Sequence, residues 1–360
     1  MLRIKKIVFT LSLIILASCG GKEKKSYEEY GSDGQTTRTE HLAVNLRSLV
    51  NRGTIIGQQY ATLEGIGWRG DSARSDMHAV CGEGPAATCY ELQGIESDKK
   101  KNTSGLAFSL IRKDALTMFR HGGLVTVTWQ PPRGSVETVK AGAKRVAAFL
   151  SGLCDEYGIH VPVVFYPLPT GLGNWYDRMS AEQYYALYTA VMETLKDENV
   201  PNVLPGYAEA FTDGAAFRQS LQHGDGLFRR CPTAGETRPL AVNAIYIQPA
   251  GKTDITAYAA TLPLLAKAVT RFAQDRDLVP SLTTGIEGIV AKGLFSRTLL
   301  PVIKGNRLSY VLFGSNRGDF KNRHFTVPYP GCDNDFIRDF IVLCNDRSTI
   351  FIPQLNGLYL

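Results

Sequence analysis

Three glutamates, Glu96, Glu209 and Glu287, each stand beyond a short apolar run, where a strand would hand over to a loop. Carboxyl groups so placed can divide acid–base and nucleophilic work, one donating a proton while another, held ionised, attacks. A further stretch has the setting without the acid. VVFYPLPTGLGNWYD, from Val163 to Asp177, reads as the end of a buried strand and an aromatic loop, and holds no acidic side chain before Asp177. His121, His223 and His324 are scattered, and no C-x-x-C or Cys/His spacing suggests zinc. Neither a metal nor a cofactor is expected.

The elements that must position these residues are legible as alternating apolar runs and periodic stretches. Eight runs, starting at Thr54, Ala86, Gly123, Val161, Asn202, Ala241, Val279 and Leu308, have apolar residues on both faces. Helical stretches separate them, as a closed parallel sheet requires. SAEQYYALYTAVMETLKDEN opens with a capping box, Ser180 and Gln183, and places Tyr184, Leu187, Tyr188, Val191 and Leu195 on one face. Ser135 begins a second helix with a stripe of Val139, Val146, Leu150 and Leu153, and Pro263 predicts a kink or restart in a third. The expected fold is a single-domain (β/α)8 barrel. Its chemistry would sit just past the strands, at residues that include Trp129, Gln130, Tyr166 to Trp175, Glu209, Tyr246 and Glu287. Aromatics and amides dominate there. Such a rim suits carbohydrate, since sugar C–H faces stack on rings while amides and carboxylates take the hydroxyls.

The first residues, MLRIKKIVFTLSLIILASCGG, join a basic start to a short apolar run and small residues, the pattern of a secretory leader. The LASC ending resembles the lipobox of bacterial lipoproteins. That reading makes residues 1–18 a signal peptide and Cys19 the lipid attachment site. Residues 19–42, rich in charge and glycine, read as a flexible tether, and 43–360 as the folded domain. The expected location is the bacterial cell envelope, periplasmic or cell-surface, with membrane contact only through the lipid. The net charge of +6 includes the leader and tether, and no long basic run follows, so nucleic-acid binding is not expected. A monomer is expected. Six cysteines remain beyond Cys19, and sequence does not choose among their pairings.

With those loop ends in place, the chain from about Gly53 onward resembles glycoside hydrolase family 26, the β-mannanase family. GTIIGQQY is similar to that family's G-x-x-x-G-H-Q strand, with Gln58 at the histidine. RSDMHAVCGEGPAATCYELQGIE resembles its R-S-D-V…E-L-G-x-I-E segment. GGLVTVTWQPP resembles its G-G-I-x-T-x-S-W-H, keeping Trp129 and placing Gln130 at a sugar-contacting histidine. LSYVLFGSNRGDFKNRHFTVPYPG resembles I-S-Y-V-L-V-W-R-N-x…H-F-x-x-P-Y-P-G, keeping Asn316 and placing Gly314 at a tryptophan. The family's fourth strand ends R-P-x-H-E, its glutamate being the acid/base. Here the frame puts Tyr166 at the arginine, Pro169 at the histidine and Thr170 at the glutamate, while Trp175 survives. At the seventh strand, L-T-E-x-G, Thr283 falls at the nucleophile.

Retaining hydrolysis needs two carboxyl groups about 5 to 5.5 Å apart. A threonine hydroxyl is a poor acid, and is nucleophilic only beside a base. The resemblance therefore implies binding of β-mannan or another plant or microbial polysaccharide, with Trp129, Gln130, Tyr166, Trp175, Tyr246 and Asn316 as expected contacts and hydrolysis lost or impaired. The alternative is an active endo-β-mannanase using displaced carboxylates, with Glu287 and Glu209 as the fallback pair. For Glu287 an ion pair or loop hydrogen bond is the plainer expectation.

Overall fold

The computed structural model describes residues 28–31, 34–70, 74–97, 99–222, 227–249 and 255–360. The leader, Cys19, most of the tether and His223 lie outside them. Eight parallel strands form the barrel: β1 (Thr54–Gln59), β2 (Ala87–Glu91), β3 (Leu124–Trp129), β4 (Val163–Pro167), β5 (Val203–Ala210), β6 (Ala241–Gln248), β7 (Val279–Ile286) and β8 (Tyr310–Phe313). Each pairs with the next, and β8 returns to β1 through Ile55 opposite Tyr310, so the sheet closes. All eight expected runs are strands, and the expected (β/α)8 barrel is the observed fold.

Alternation along the strands sorts side chains to two sides of this wall. Ile55, Ala87, Leu124, Val164, Leu204, Ala241, Val279 and Tyr310 fill the barrel. Ile56, Val125, Val163, Val203, Val242 and Leu282 pack outward beneath the helices. Each such aliphatic burial is worth about 1.5–3 kcal/mol.

The helices are α1 (Thr37–Leu49), α2 (Asp76–Cys81), α3 (Phe108–Arg120), α4 (Val136–Ser151), α5 (Ala181–Asp197), α6 (Gly214–Gln222), α7 (Ile255–Gln274), α8 (Leu300–Gly305) and α9 (Asn334–Cys344). At α5 the Ser180 hydroxyl accepts from Gln183 N–H (3.2 Å) and Gln183 Oε1 accepts from Ser180 N–H (3.0 Å), the expected capping box. The stripes of α4 and α5 are buried. Pro263 does not restart the helix, since α7 runs through it from Ile255 to Gln274. Pro263 is exposed, so the carbonyl its missing N–H would have engaged lies toward water.

The folded part also begins earlier than residue 43. Thr36 caps α1, its hydroxyl accepting from Thr39 N–H at 3.2 Å, and Thr36, Thr39 and Leu42 are all buried. Their composition reads as tether because the helix uses threonines where aliphatic residues are usual. Leu42, Leu46 and Leu49 of α1 join Leu355, Leu358 and Tyr359 in the same cluster as the barrel interior, flooring its N-terminal end. Asn45 Nδ2 ties the two floor segments by donating to the carbonyls of Gly357, Leu358 and Leu360.

Candidate functional site

The barrel mouth lies at the C-terminal strand ends, where the inward-facing series of each strand emerges. After Ile55 and Gly57 comes Gln59; after Ala87 and Cys89 comes Glu91. Gln59 Nε2 donates to Glu91 Oε1 at 2.8 Å, and Tyr60 and Ser104 hydroxyls reach Glu91 Oε2, each at 3.3 Å. Asn102 braces this corner, donating to the Tyr60 hydroxyl and the Glu91 carbonyl, both at 2.9 Å. Across the ring, Asn243 of β6 donates to Thr283 Oγ1 of β7 at 2.9 Å. Beneath them Tyr166 hydrogen-bonds Tyr310, and its hydroxyl lies 3.3 Å from Ser281 Oγ. Gly206 makes room for that ring, since a Cβ there would lie 2.4 Å from it.

The two family positions part company here. Thr283 is half-buried on the inward-facing series of β7. Thr170 is placed differently. Leu168 takes a positive φ of 55°, and beyond it Thr170 is stitched onto β5, donating to the Ala208 carbonyl and accepting from Ala210 N–H. Its hydroxyl sits 3.1 Å from Tyr207 Oη, which donates to Glu209 Oε2 at 2.8 Å, and Tyr207 packs outward from the wall against the buried Tyr184 ring of α5. Thr170 is 1% exposed, so it is part of the wall and not of the cleft.

Glu209 lies in that same wall. Burial pushes its carboxyl up, against the opposing pull of the Tyr207 hydroxyl and Arg230. Glu287 follows β7 at the rim, where its Oε1 is 2.7 Å from His324 Nδ1 and 3.7 Å from Arg317. The ion pair expected as its plainer role is the observed one. The fallback carboxylates are engaged separately, the half-buried Glu209 by Tyr207 at the wall and Glu287 by His324 and Arg317 at the rim.

Among the expected sugar contacts, Trp175 and Gln130 retain exposed surface. Trp175 opens a short 3-10 turn (Trp175–Arg178), and its indole N–H donates to the Pro131 carbonyl at 3.0 Å, bridging the loops after β4 and β3. Gln130 is half-buried at the end of β3. Four others are corrected. Trp129 is fully buried on the outer side of the wall, against Gly142 of α4, and donates to Glu96 Oε2 at 3.1 Å. Tyr246 also faces outward, stacked on Tyr258 of α7 with centroids 5.3 Å apart. Tyr166 is barrel filling. Asn316 is 1% exposed and acts as a bracket between loops, accepting from Gln58 Nε2 (3.0 Å) and donating to Asp76 Oδ2 (2.9 Å) and the Val327 carbonyl (3.2 Å).

Thr128 and Asn243 were passed over, whereas Gln59 and Glu91 fall in the stretches past the first two strands where the sequence already places chemistry. Counting by twos from the apolar residues inside each strand finds them. A half-buried hydroxyl, two amides and one carboxylate make a surface of donors and acceptors without a facing acid. β4 with its extension to Thr170, and β7, contain no acidic residue. Among the described residues no cluster of His, Cys, Asp and Glu could hold a metal ion.

A solved GH26 β-mannanase from Bacteroides ovatus superposes with a TM-score of 0.78 over 91% of this chain and 98% of that one, at 26% identity. The chain has the GH26 fold. A GH26C protein from a Muricauda species matches at TM-score 0.74 and 20% identity, over 91% of this chain and 94% of its own. The catalytic domain of a Bacillus GH26 endo-β-1,4-mannanase matches at 0.75 and 18%, over 94% and 97%. No protein-family model matches the chain, and no curated protein does. The GH26 likeness thus extends over nearly the whole folded part, with sequence far diverged.

Proposed function

We propose that this protein binds β-mannan or a related polysaccharide in the barrel mouth and does not cleave it by the two-carboxylate route. The observation that carries the reading is the Asn243–Thr283 pair between β6 and β7, an amide and a hydroxyl where the family resemblance expects a nucleophile. Hydroxyl and amide groups remove the desolvation cost and repulsion of paired acids and still exchange hydrogen bonds with sugar hydroxyls. Trp175 supplies the stacking surface, and Glu91 a single acceptor held by Gln59.

Affinity electrophoresis against mannan, glucomannan and xylan tests this: retardation on the mannans is expected, and none on any of the three sinks it. The hydrolase alternative makes a separate demand. Product release from mannan that disappears in Glu287→Gln would restore it, whereas with Glu287 engaged by His324 and Arg317 no release is expected from the parent or from the variant.

We read the chain's start as a lipoprotein leader that places the domain in the cell envelope as a monomer, with Cys19 carrying the lipid. The basic residues, apolar run and LASC sequence support this. No helix among the described residues is long and apolar enough to cross a membrane. Metabolic labelling with a fatty acid in the native host checks it; label retained in Cys19→Ala counts against it.

A further inference from the structure

The helix ring, like the sheet, has a seam. α2 follows the first barrel strand and α9 the last, and the two pack side by side where the ring closes. Each ends on a cysteine. Gly82, in the left-handed conformation at φ 78°, stops α2 directly after Cys81, and α9 stops at Cys344. The Cys81 thiol faces the Glu83 carbonyl at 3.8 Å, and each of the two thiols is the strongest influence on the other's ionisation. Cys344 is buried and Cys81 only partly so, which leaves Cys81 as the sulfur that a reagent meets first.

We propose that Cys81 and Cys344 are a disulfide-forming pair that fastens the first helix of the barrel wall to the last. The neighbouring Cys344 draws the Cys81 thiol below its ordinary range, while Cys81 and burial push Cys344 up. Cys81 is thus the attacking thiolate. The oxidant is an external disulfide, such as oxidised glutathione or an oxidoreductase. Cys81 attacks one of its sulfurs, forming a mixed disulfide and releasing one thiolate. Cys344 passes its proton to that thiolate and attacks Cys81 Sγ, expelling the second thiol. Two protein thiols lose two electrons and the external disulfide gains them.

Cys89 and Cys231 differ: burial pushes each up to about 12, Cys89 inside the barrel and Cys231 beneath the helices. The inferred bond closes a ring containing nearly the whole barrel, so it removes freedom mainly from the unfolded chain. It is independent of what the mouth binds.

The test uses the full chain incubated with oxidised glutathione, alkylated in denaturant and digested without reduction. Mass spectrometry is expected to find one peptide joining Cys81 to Cys344, abolished by dithiothreitol. Both cysteines fully alkylated, or either joined to another cysteine or left as a stable glutathione adduct, overturns the pairing. Denaturant unfolding gives the second readout. The oxidised chain is expected to unfold at a higher midpoint than the reduced chain, and Cys81→Ala at one midpoint whether or not reductant is present. Equal midpoints for the linked and reduced parent overturn the fastening role. Should Cys81→Ala fail to fold, the comparison within the parent chain decides alone.

Discussion

Trp175 and Trp129 stand on opposite sides of the barrel wall, and their substitutions separate binding from stability. Trp175 is half-buried with its indole N–H fixed on Pro131, so its ring is pre-set for a sugar face. Trp175→Ala is expected to weaken mannan binding about five- to tenfold, the loss of roughly 1 kcal/mol of ring contact, with little change in unfolding midpoint. Trp129→Ala should do the reverse. Emptying a fully buried indole site costs about 3–5 kcal/mol, and denaturant titration reads it directly. Asn316 makes the same distinction for an amide. In Asn316→Ala, Gln58 and Asp76 each lose a partner, at about 1–3 kcal/mol for each buried group left unpaired. Unfolding at unchanged or lower denaturant concentration separates the outcomes, and an unchanged midpoint with lost mannan retardation would return Asn316 to the sugar site.

Among the elements, the junction of β4 and β5 governs what the mouth contains. The turn at Leu168 passes Thr170 onto β5, and with it the hydroxyl chain Thr170, Tyr207 and Glu209 enters the wall. The sequence frame aligns residues one for one and has no term for that turn, which is why it put Thr170 in the cleft. Thr283 lies in an uninterrupted strand, where alternation alone carries a residue to its face. The wall position of Glu209 has a pH signature. Its folded value is raised above 4.5, so the folded state binds the extra proton. That contribution is whole below 4.5 and lost as pH rises through the raised value. Glu209→Gln, which keeps an acceptor for Tyr207, is expected to flatten the decline of stability on this rise, measured by denaturant midpoints from pH 4 to 8. An unaltered slope would place the titration on another buried acid, such as Glu64 or Asp114, which burial also raises.

For the whole molecule, the barrel was readable because closure imposes strong local demands. Every strand must be apolar on both faces, every helix must carry one stripe, and caps such as Ser180 announce themselves. The site was less readable because rim residues are chosen by neighbours distant in sequence. Gln59 meets Glu91, and Asn243 meets Thr283, only after the sheet has folded into a ring. The floor shows the same dependence. Leu355, Leu358 and Tyr359 close the end opposite the mouth, and Tyr359 donates to the Gly123 carbonyl at 2.7 Å. Removing residues 355–360 is expected to lower the thermal midpoint by more than about 5 °C, since losing three buried side chains outweighs the roughly 3 kcal/mol that such a shift represents for a barrel of this size. Calorimetry checks it.

That floor also fixes a direction. Thr36 N–H donates to the Pro201 carbonyl just ahead of β5, and Glu28 accepts from His160 N–H just ahead of β4, so the chain enters from the end away from the strand tips. The described chain therefore begins at the base of the cylinder. A molecule moored by its beginning would stand with the open end turned outward, free to sweep along a passing polymer while its moorings bear the load.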